Sequence, residues 1–195
     1  MPSSSDTYVS PMPEYRDAPT PVDWVVGLDL SLTGTGVAII GEAGIRTHLI
    51  TSKGKKGASL RERWERLDIL ANKIQQAIPE KVLVVIEQPA YSQTGGSHHD
   101  RSGLWWLIVH ALNPWHTVVE VTPGTLKKFA TGKGNAGKDE MLAAAIRRYP
   151  AADVVNNNVA DALHLAAMGA RSLGHPLEAD TVKIAEAMAV TRWAA

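Results

Sequence analysis

Trp24-Val-Val-Gly-Leu-Asp-Leu30, running on through Ser-Leu-Thr-Gly-Thr-Gly36 into Val37-Ala-Ile-Ile40, is the stretch on which the fold turns. Its first seven residues are a short apolar run with one acid inside, which predicts a buried strand carrying Asp29. Ser31 to Gly36 predicts a turn, and Val37 to Ile40 a second strand. Gly41 to Gly44 predicts another turn, and the alternation from Ile45 to Thr51 a third strand. Three strands joined by short glycine-containing turns define an antiparallel meander.

Downstream the period changes. Leu60, Trp64, Leu67, Ala71, Ile74 and Ile78 recur at spacings of three and four, predicting a helix over 58–78 that Pro79 ends. Trp64 falls in the core stripe of that helix. Val82 to Ile86 is a continuous β-branched run, typical of a strand covered on both faces. Residues 92–100 read as a polar loop, 101–112 as a helix and 117–121 as a fifth strand. A short helix is expected over 124–130, a mobile loop over 131–137, and helices over 138–149 and 157–173. Residues 178–193 can form a last amphipathic helix. Apart from that last helix and the short one at 124–130, the order is β-β-β-α-β-α-β-α-α. An antiparallel region followed by βαβ crossovers gives an α/β chain with a mixed five-stranded sheet flanked by helices.

Composition sets outer bounds. The 195 residues suffice for one sizeable domain, and 45% hydrophobic with 21% charged residues is a globular balance. Without cysteine there are no disulfides, Cys-ligated zinc, iron–sulfur clusters or thiol nucleophiles. No apolar run approaches the roughly 20 residues that span a bilayer, and the N-terminus lacks the pattern of a signal peptide. A soluble, cytoplasmic protein is expected, with no membrane partner. Residues 1–22, with five prolines, read as a flexible tail, 23–175 as the folded domain and 176–195 as a helical extension.

Net charge is zero, yet residues 53–66 and 127–148 each carry six basic and two acidic residues. The rest of the chain is correspondingly acidic. Such segregation suits a face that meets an anion, although basic clusters also occur as plain solvated surface.

Three acids stand out. Asp29 lies within an apolar strand, where a lone carboxylate is costly unless it is paired or binds a metal. Glu87 follows the run VLVVI at the carboxyl end of a buried strand, where α/β sheets place their sites. Asp161 falls near the first turn of a helix capped by Asn157 or Asn158, with Leu165 and Met168 on its own face. The polar face of that helix is narrow, formed by Asn157, His164 and Arg171. Singly, each acid has a plain structural role: a turn, a lysine pair, a cap. Together they suit Mg²⁺ or Mn²⁺ and the hydrolysis of a phosphodiester.

The segments VVGLDLSLTGTGVAII (25–40), VVIEQPAY (84–91), TLKKFATGKGNAGKDEM (125–141) and NNNVADALHLA (156–166) resemble, in order and spacing, the RuvC family of Holliday junction resolvases. The short form is most similar to a bacteriophage-borne member, and the resemblance covers about residues 24–173. It implies an RNase H-like fold and Mg²⁺-dependent cutting of four-way and other branched DNA by a homodimer, with Mn²⁺ as an alternative and one or two ions per site. It assigns Asp29, Glu87 and Asp161 as catalytic metal ligands. Lys127 and Lys138 fall on the family's functional lysines, and Tyr91 lies near a residue used at the junction crossover. Where the family has Asp or His three residues before the last acid, this chain has Asn158, a neutral oxygen ligand; His164 is a substitute candidate.

Gly132-Lys-Gly-Asn-Ala-Gly-Lys138-Asp139 nearly matches a phosphate-binding loop, but Asp139 stands where Ser or Thr must hold Mg²⁺. The segment is better read as a glycine loop from which Lys127, Lys128, Lys133 and Lys138 meet DNA phosphates, with no nucleotide cofactor. Gly34-Thr-Gly36 reads as a turn, and Trp105-Trp106 as packing or an oligomer contact, with stacking on bases as the alternative. The competing functions are a catalytically weak junction-binding protein, an RNA-processing nuclease of the same fold, and an actin-like ATPase, for which the chain is too short.

Overall fold

The computed structural model describes residues 24–89 and 97–193. The N-terminal tail and Tyr91 therefore lie outside the described residues. Five strands form one sheet: β1 (Val25–Asp29), β2 (Gly34–Gly41), β3 (Gly44–Thr51), β4 (Leu83–Glu87) and β5 (Thr117–Val121). Their spatial order is β3-β2-β1-β4-β5. β1–β2 and β2–β3 are antiparallel, whereas β4 lies parallel to both β1 and β5. The expected mixed α/β sheet is present, and the fold is RNase H-like. Among the described residues no helix is long and apolar enough to cross a membrane.

Strand alternation sorts the core into two layers. Val26, Leu28, Val84 and Ile86 face α1 (Leu60–Gln76) and α2 (His98–Leu112). Val25, Leu83, Val85 and Val119 face α3 (Pro123–Thr131), α4 (Lys138–Arg148) and α5 (Asn157–Ser172). Hence β4 has no polar residue before Glu87: both of its faces are covered. α6 (Val182–Val190) closes over α3.

The structure corrects several expectations. Ser59 starts α1 with a reciprocal capping box to Glu62, but only Leu70, Ala71 and Ile74 are buried. Leu60 and Trp64 stand exposed, because only the second half of α1 reaches the sheet. α2 begins at His98, so the polar stretch gives way to helix three residues early. The cap of α5 is Asn156, whose side chain accepts from Val159 N at 3.0 Å.

Gly34 and Gly36 belong to β2, and the turn is 30–33. A Cβ on Gly36 would lie 2.0 Å from the Asn158 carbonyl oxygen, and one on Gly27 1.9 Å from that of Ala162. These glycines are needed for close approach: they let α5 lie directly on the backbones of β1 and β2. α5 is consequently buried nearly all round. His164, expected on a polar face, is fully buried against α4, with Nε2 3.2 Å from the Met141 carbonyl.

Residues 132–137 form a tied connection. Gly132 takes a left-handed cap (φ 82°), Lys133 N donates to Thr131 Oγ1 at 3.2 Å, and Ala136 is buried. The connection joins two helices, whereas a phosphate-binding loop follows a strand.

Candidate active site

Asp29 and Glu87 end two neighbouring parallel strands, so their carboxylates emerge together at one edge of the sheet. Asp29 also pairs with Gly36 across the β1–β2 ladder. Since the α5 backbone at Asn158 sits on Gly36, Asp161, one turn further on, is brought to the same edge. The three acids line a cleft of about 340 Å³ together with Ser31, Asn158, Lys138, Arg101 and Trp105.

The electrostatics of the cleft are those of crowded acids. Burial, then the charges of Glu87 and Asp161, raise Asp29 well above the usual carboxylate range; Lys138 opposes them. Burial and Asp161 push Glu87 up to about 7, against the pull of Lys127. Burial raises Asp161 to about 6, although Lys127 and Lys138 both favour its charged form. A hydrogen bond between the Asp29 and Glu87 carboxyls raises Asp29 and lowers Glu87. The Oδ1 atom of Asp161 is buried without a partner.

Among the described residues no group of three or more His, Asp or Glu side chains is close enough together, as the side chains stand, to hold a metal ion. The acids are an open set around the cleft, and their chemistry fits a hard divalent cation: oxygen donors, mutual repulsion and one unsatisfied buried oxygen. Asn158 donates from Nδ2 to the Gly34 carbonyl, which leaves Oδ1 as its free donor atom. His164 is no substitute ligand. It lies beneath the helix, tilted 5.6 Å from the Tyr149 ring, and burial lowers it to about 4.

The four lysines divide. Lys127 and Lys138 act on the acids, from the end of the sheet where α3 and α4 stand. Lys128 pairs with Glu186 of α6 at 2.6 Å, and Lys133 with Glu140 at 2.8 Å. The structure does not bring these two into the cleft. Ser31, Arg101 and Trp105 line it and were not anticipated there. Trp105, half-buried, was visible only as one of two adjacent tryptophans; its partner Trp106 stands T-shaped at 4.8 Å and is exposed.

A mixed β3-β2-β1-β4-β5 sheet with helices on both faces and acids at the ends of its central strands defines the RuvC-like, RNase H-like class of fold. The Thermus thermophilus RuvC structure matches it with a TM-score of 0.57 at 17% identity, covering 78% of this chain and 97% of that one. T. thermophilus RuvC in complex with Holliday junction substrate matches with the same score and identity, covering 78% and 96%. No family model matches the sequence, and no curated protein matches it.

Proposed function

We propose that this chain is a Mg²⁺-dependent endonuclease that cuts four-way DNA junctions, and other branched DNA, by phosphodiester hydrolysis. One observation carries the reading: three carboxylates from β1, β4 and α5 converge in a cleft flanked by Lys127 and Lys138, and one carboxylate oxygen is left unsatisfied. The likeness to a RuvC bound to junction DNA supports the substrate class.

Asp29, Glu87 and Asp161 would hold one or two ions, with Asn158 Oδ1 as a neutral ligand. When bound, Mg²⁺ supplies an activated water and stabilisation of the leaving oxygen. Mn²⁺ suits the same oxygen set. Lys127 and Lys138, whose charges act on Asp161, would meet the scissile phosphate, and hydrolysis would leave 5′-phosphate and 3′-hydroxyl ends. Lys128 and Lys133 would reach phosphates only by exchanging their glutamate partners. Tyr91 would contact the DNA near the crossover.

A four-way junction is two-fold symmetric, so we assign a homodimer with two sites. Exposed Trp106 and Leu107 of α2 offer apolar surface for the pairing.

Asn158 favours a second reading, a junction-binding protein that cuts weakly. Cleavage of a synthetic four-way junction beside linear duplex, with Mg²⁺ and with chelator, separates the two. Paired, metal-dependent cuts lost in Asp29→Asn support the nuclease; tight binding with no cut overturns it. Faster cutting of structured RNA would assign the RNA-processing alternative.

A further inference from the structure

The proposed chemistry uses none of the basic residues between 53 and 66. The structure accounts for most of them. Arg63 forks onto Asp100 (Nε to Oδ2 3.0 Å) and ties α1 to α2. Arg61 pairs with Glu65 at 2.8 Å, and Lys55 with Glu62 at 2.9 Å. Arg66 donates from Nε to Ser52 Oγ at 2.9 Å and from Nη2 to the Leu32 carbonyl. Lys53 and Lys56 remain exposed, with no ion pair among the described residues.

Their position is informative. β3 runs parallel to β1, since both are antiparallel to β2, so Thr51 ends at the same sheet edge as Asp29. Leu49 lies two strand spacings, about 10 Å, from Asp29, and Thr51 is two residues further along β3. The chain after β3 is then fastened to the turn that leaves Asp29. Ser52 N donates to the Thr33 carbonyl at 3.2 Å, and Arg66 grips both Ser52 and Leu32. Gly54 passes so closely over that guanidinium that a Cβ would lie 2.4 Å from Nη1. Further on, Ala58 N closes a turn onto the Lys55 carbonyl at 3.2 Å. Lys53 and Lys56 are thus held on an anchored strap beside the cleft, on the β3 side, away from Lys127 and Lys138. Two unpaired ammonium groups on a fixed backbone, next to a site for a phosphodiester, match the spaced charges of a nucleic-acid backbone.

We propose that Lys53 and Lys56 contact the phosphate backbone of a DNA arm beside the cut site, a second contact surface distinct from the cleft lysines. The assignment rests on the nuclease reading for its partner. Its test is the salt dependence of binding, which a merely structural role would not move. Full-length wild type, the double variant K53A/K56A and the control K73A, a lysine in the last turn of α1, would be titrated onto a labelled four-way DNA junction without divalent metal. The slope of log affinity against log salt should fall by about 2 in the double variant, with no change in the control. The affinity gap to wild type should narrow about tenfold between 50 and 200 mM salt. An unchanged slope, or an equal loss in K73A, overturns the assignment. Wild type that binds junctions but never cuts them with Mg²⁺ sinks the nuclease reading alone, and the slopes still decide the strap. Wild type that binds no DNA overturns both.

Discussion

The indole nitrogen of Trp105 donates a 3.0 Å hydrogen bond to the main-chain carbonyl of Glu87. Beyond Glu87 the chain keeps one ladder bond, Gln88 N to the Val121 carbonyl at 2.8 Å, before Pro89 ends the strand. Trp105 therefore braces, from a helix on the opposite layer, the residue whose carboxylate is proposed to meet the metal. Trp105→Phe keeps most of the ring and removes the donor. It should cost about 1 kcal/mol of stability and weaken Mn²⁺ binding and junction cleavage about fivefold each, the equivalent of one hydrogen bond. Titration of Mn²⁺ beside single-turnover cleavage checks it. A variant with wild-type metal affinity would show that the bond does not position Glu87.

The crowded acids give the metal-free protein a stability that depends on pH. Glu87 is raised from 4.5 to about 7, and Asp161 from 3.8 to about 6. A carboxyl raised in the folded state contributes stability that is present at acid pH and lost as pH rises through the folded value. The window for Glu87 is thus from about pH 4.5 to 7. Without metal, the melting temperature should fall between pH 5 and pH 8; Mg²⁺ should restore it at pH 8 and do little at pH 5. Asp29→Asn, which replaces a carboxyl that is costly to ionise where it is buried with a neutral amide, should raise the metal-free melting temperature at pH 8 while abolishing cleavage. Melting curves over this range, with Mg²⁺ and with chelator, decide the matter. A flat profile in the wild type would mean that burial does not raise these carboxyls.

The cleavage rate should follow the same groups. Metal ligation needs the ionised carboxylates, so Mg²⁺-dependent cutting should climb between about pH 6 and 8 as Asp161 and then Glu87 ionise. Saturating Mg²⁺ should move the rise to lower pH, because the ion competes with the protons. A rate independent of pH across this range would assign the limiting step to something other than ligation by these acids.

Gly36 sets where α5 lies. A methyl there would stand 2.0 Å from the Asn158 carbonyl oxygen, backbone that cannot rotate away. Gly36→Ala should push the start of α5, with Asn158 and Asp161, off the sheet. We expect a loss of about 1–3 kcal/mol and of metal-dependent cutting. Gly103→Ala is the matched control: the nearest side-chain atom is 3.8 Å from the added carbon, and alanine favours the helix. If Gly36→Ala melts and cuts like Gly103→Ala, the helix is not seated by that glycine.

What the sequence disclosed follows from locality. Strand runs, turns and the acid ending each central strand are local patterns, and β4 and β5 fall within a residue of expectation. Gly36 was misread because its need for bareness comes from Asn158, more than 120 residues away. His164 was misplaced because only the layering over α5 shows that both sides of the helix are covered. Lys128 looked free until α6, from the C-terminal extension, supplied Glu186. Trp64 repeats at core spacing on a helix whose first half overhangs the sheet, and spacing alone does not reveal where a helix runs out of partner.

In the proposed nuclease, Asn158 would set how strongly a second ion is held. Its amide nitrogen gives its hydrogen to the Gly34 carbonyl, and only Oδ1 is left for the cleft. Asn158→Asp removes that donor and sets a carboxylate oxygen against the carbonyl, beside three acids that already repel one another. Without metal the variant should be less stable by about 1–3 kcal/mol at pH 8, the cost of an unsatisfied carbonyl plus added charge repulsion. With Mn²⁺ the order should reverse, because a fourth carboxylate balances a second cation that a neutral amide holds poorly. Calorimetric titration with Mn²⁺ should then show a tighter second binding event, and cleavage should rise about tenfold if that ion limits the wild-type rate. If the variant is destabilised without metal and gains neither affinity nor rate, Asn158 serves as the clasp between α5 and β2, and the cleft works with the ions that Asp29, Glu87 and Asp161 hold alone.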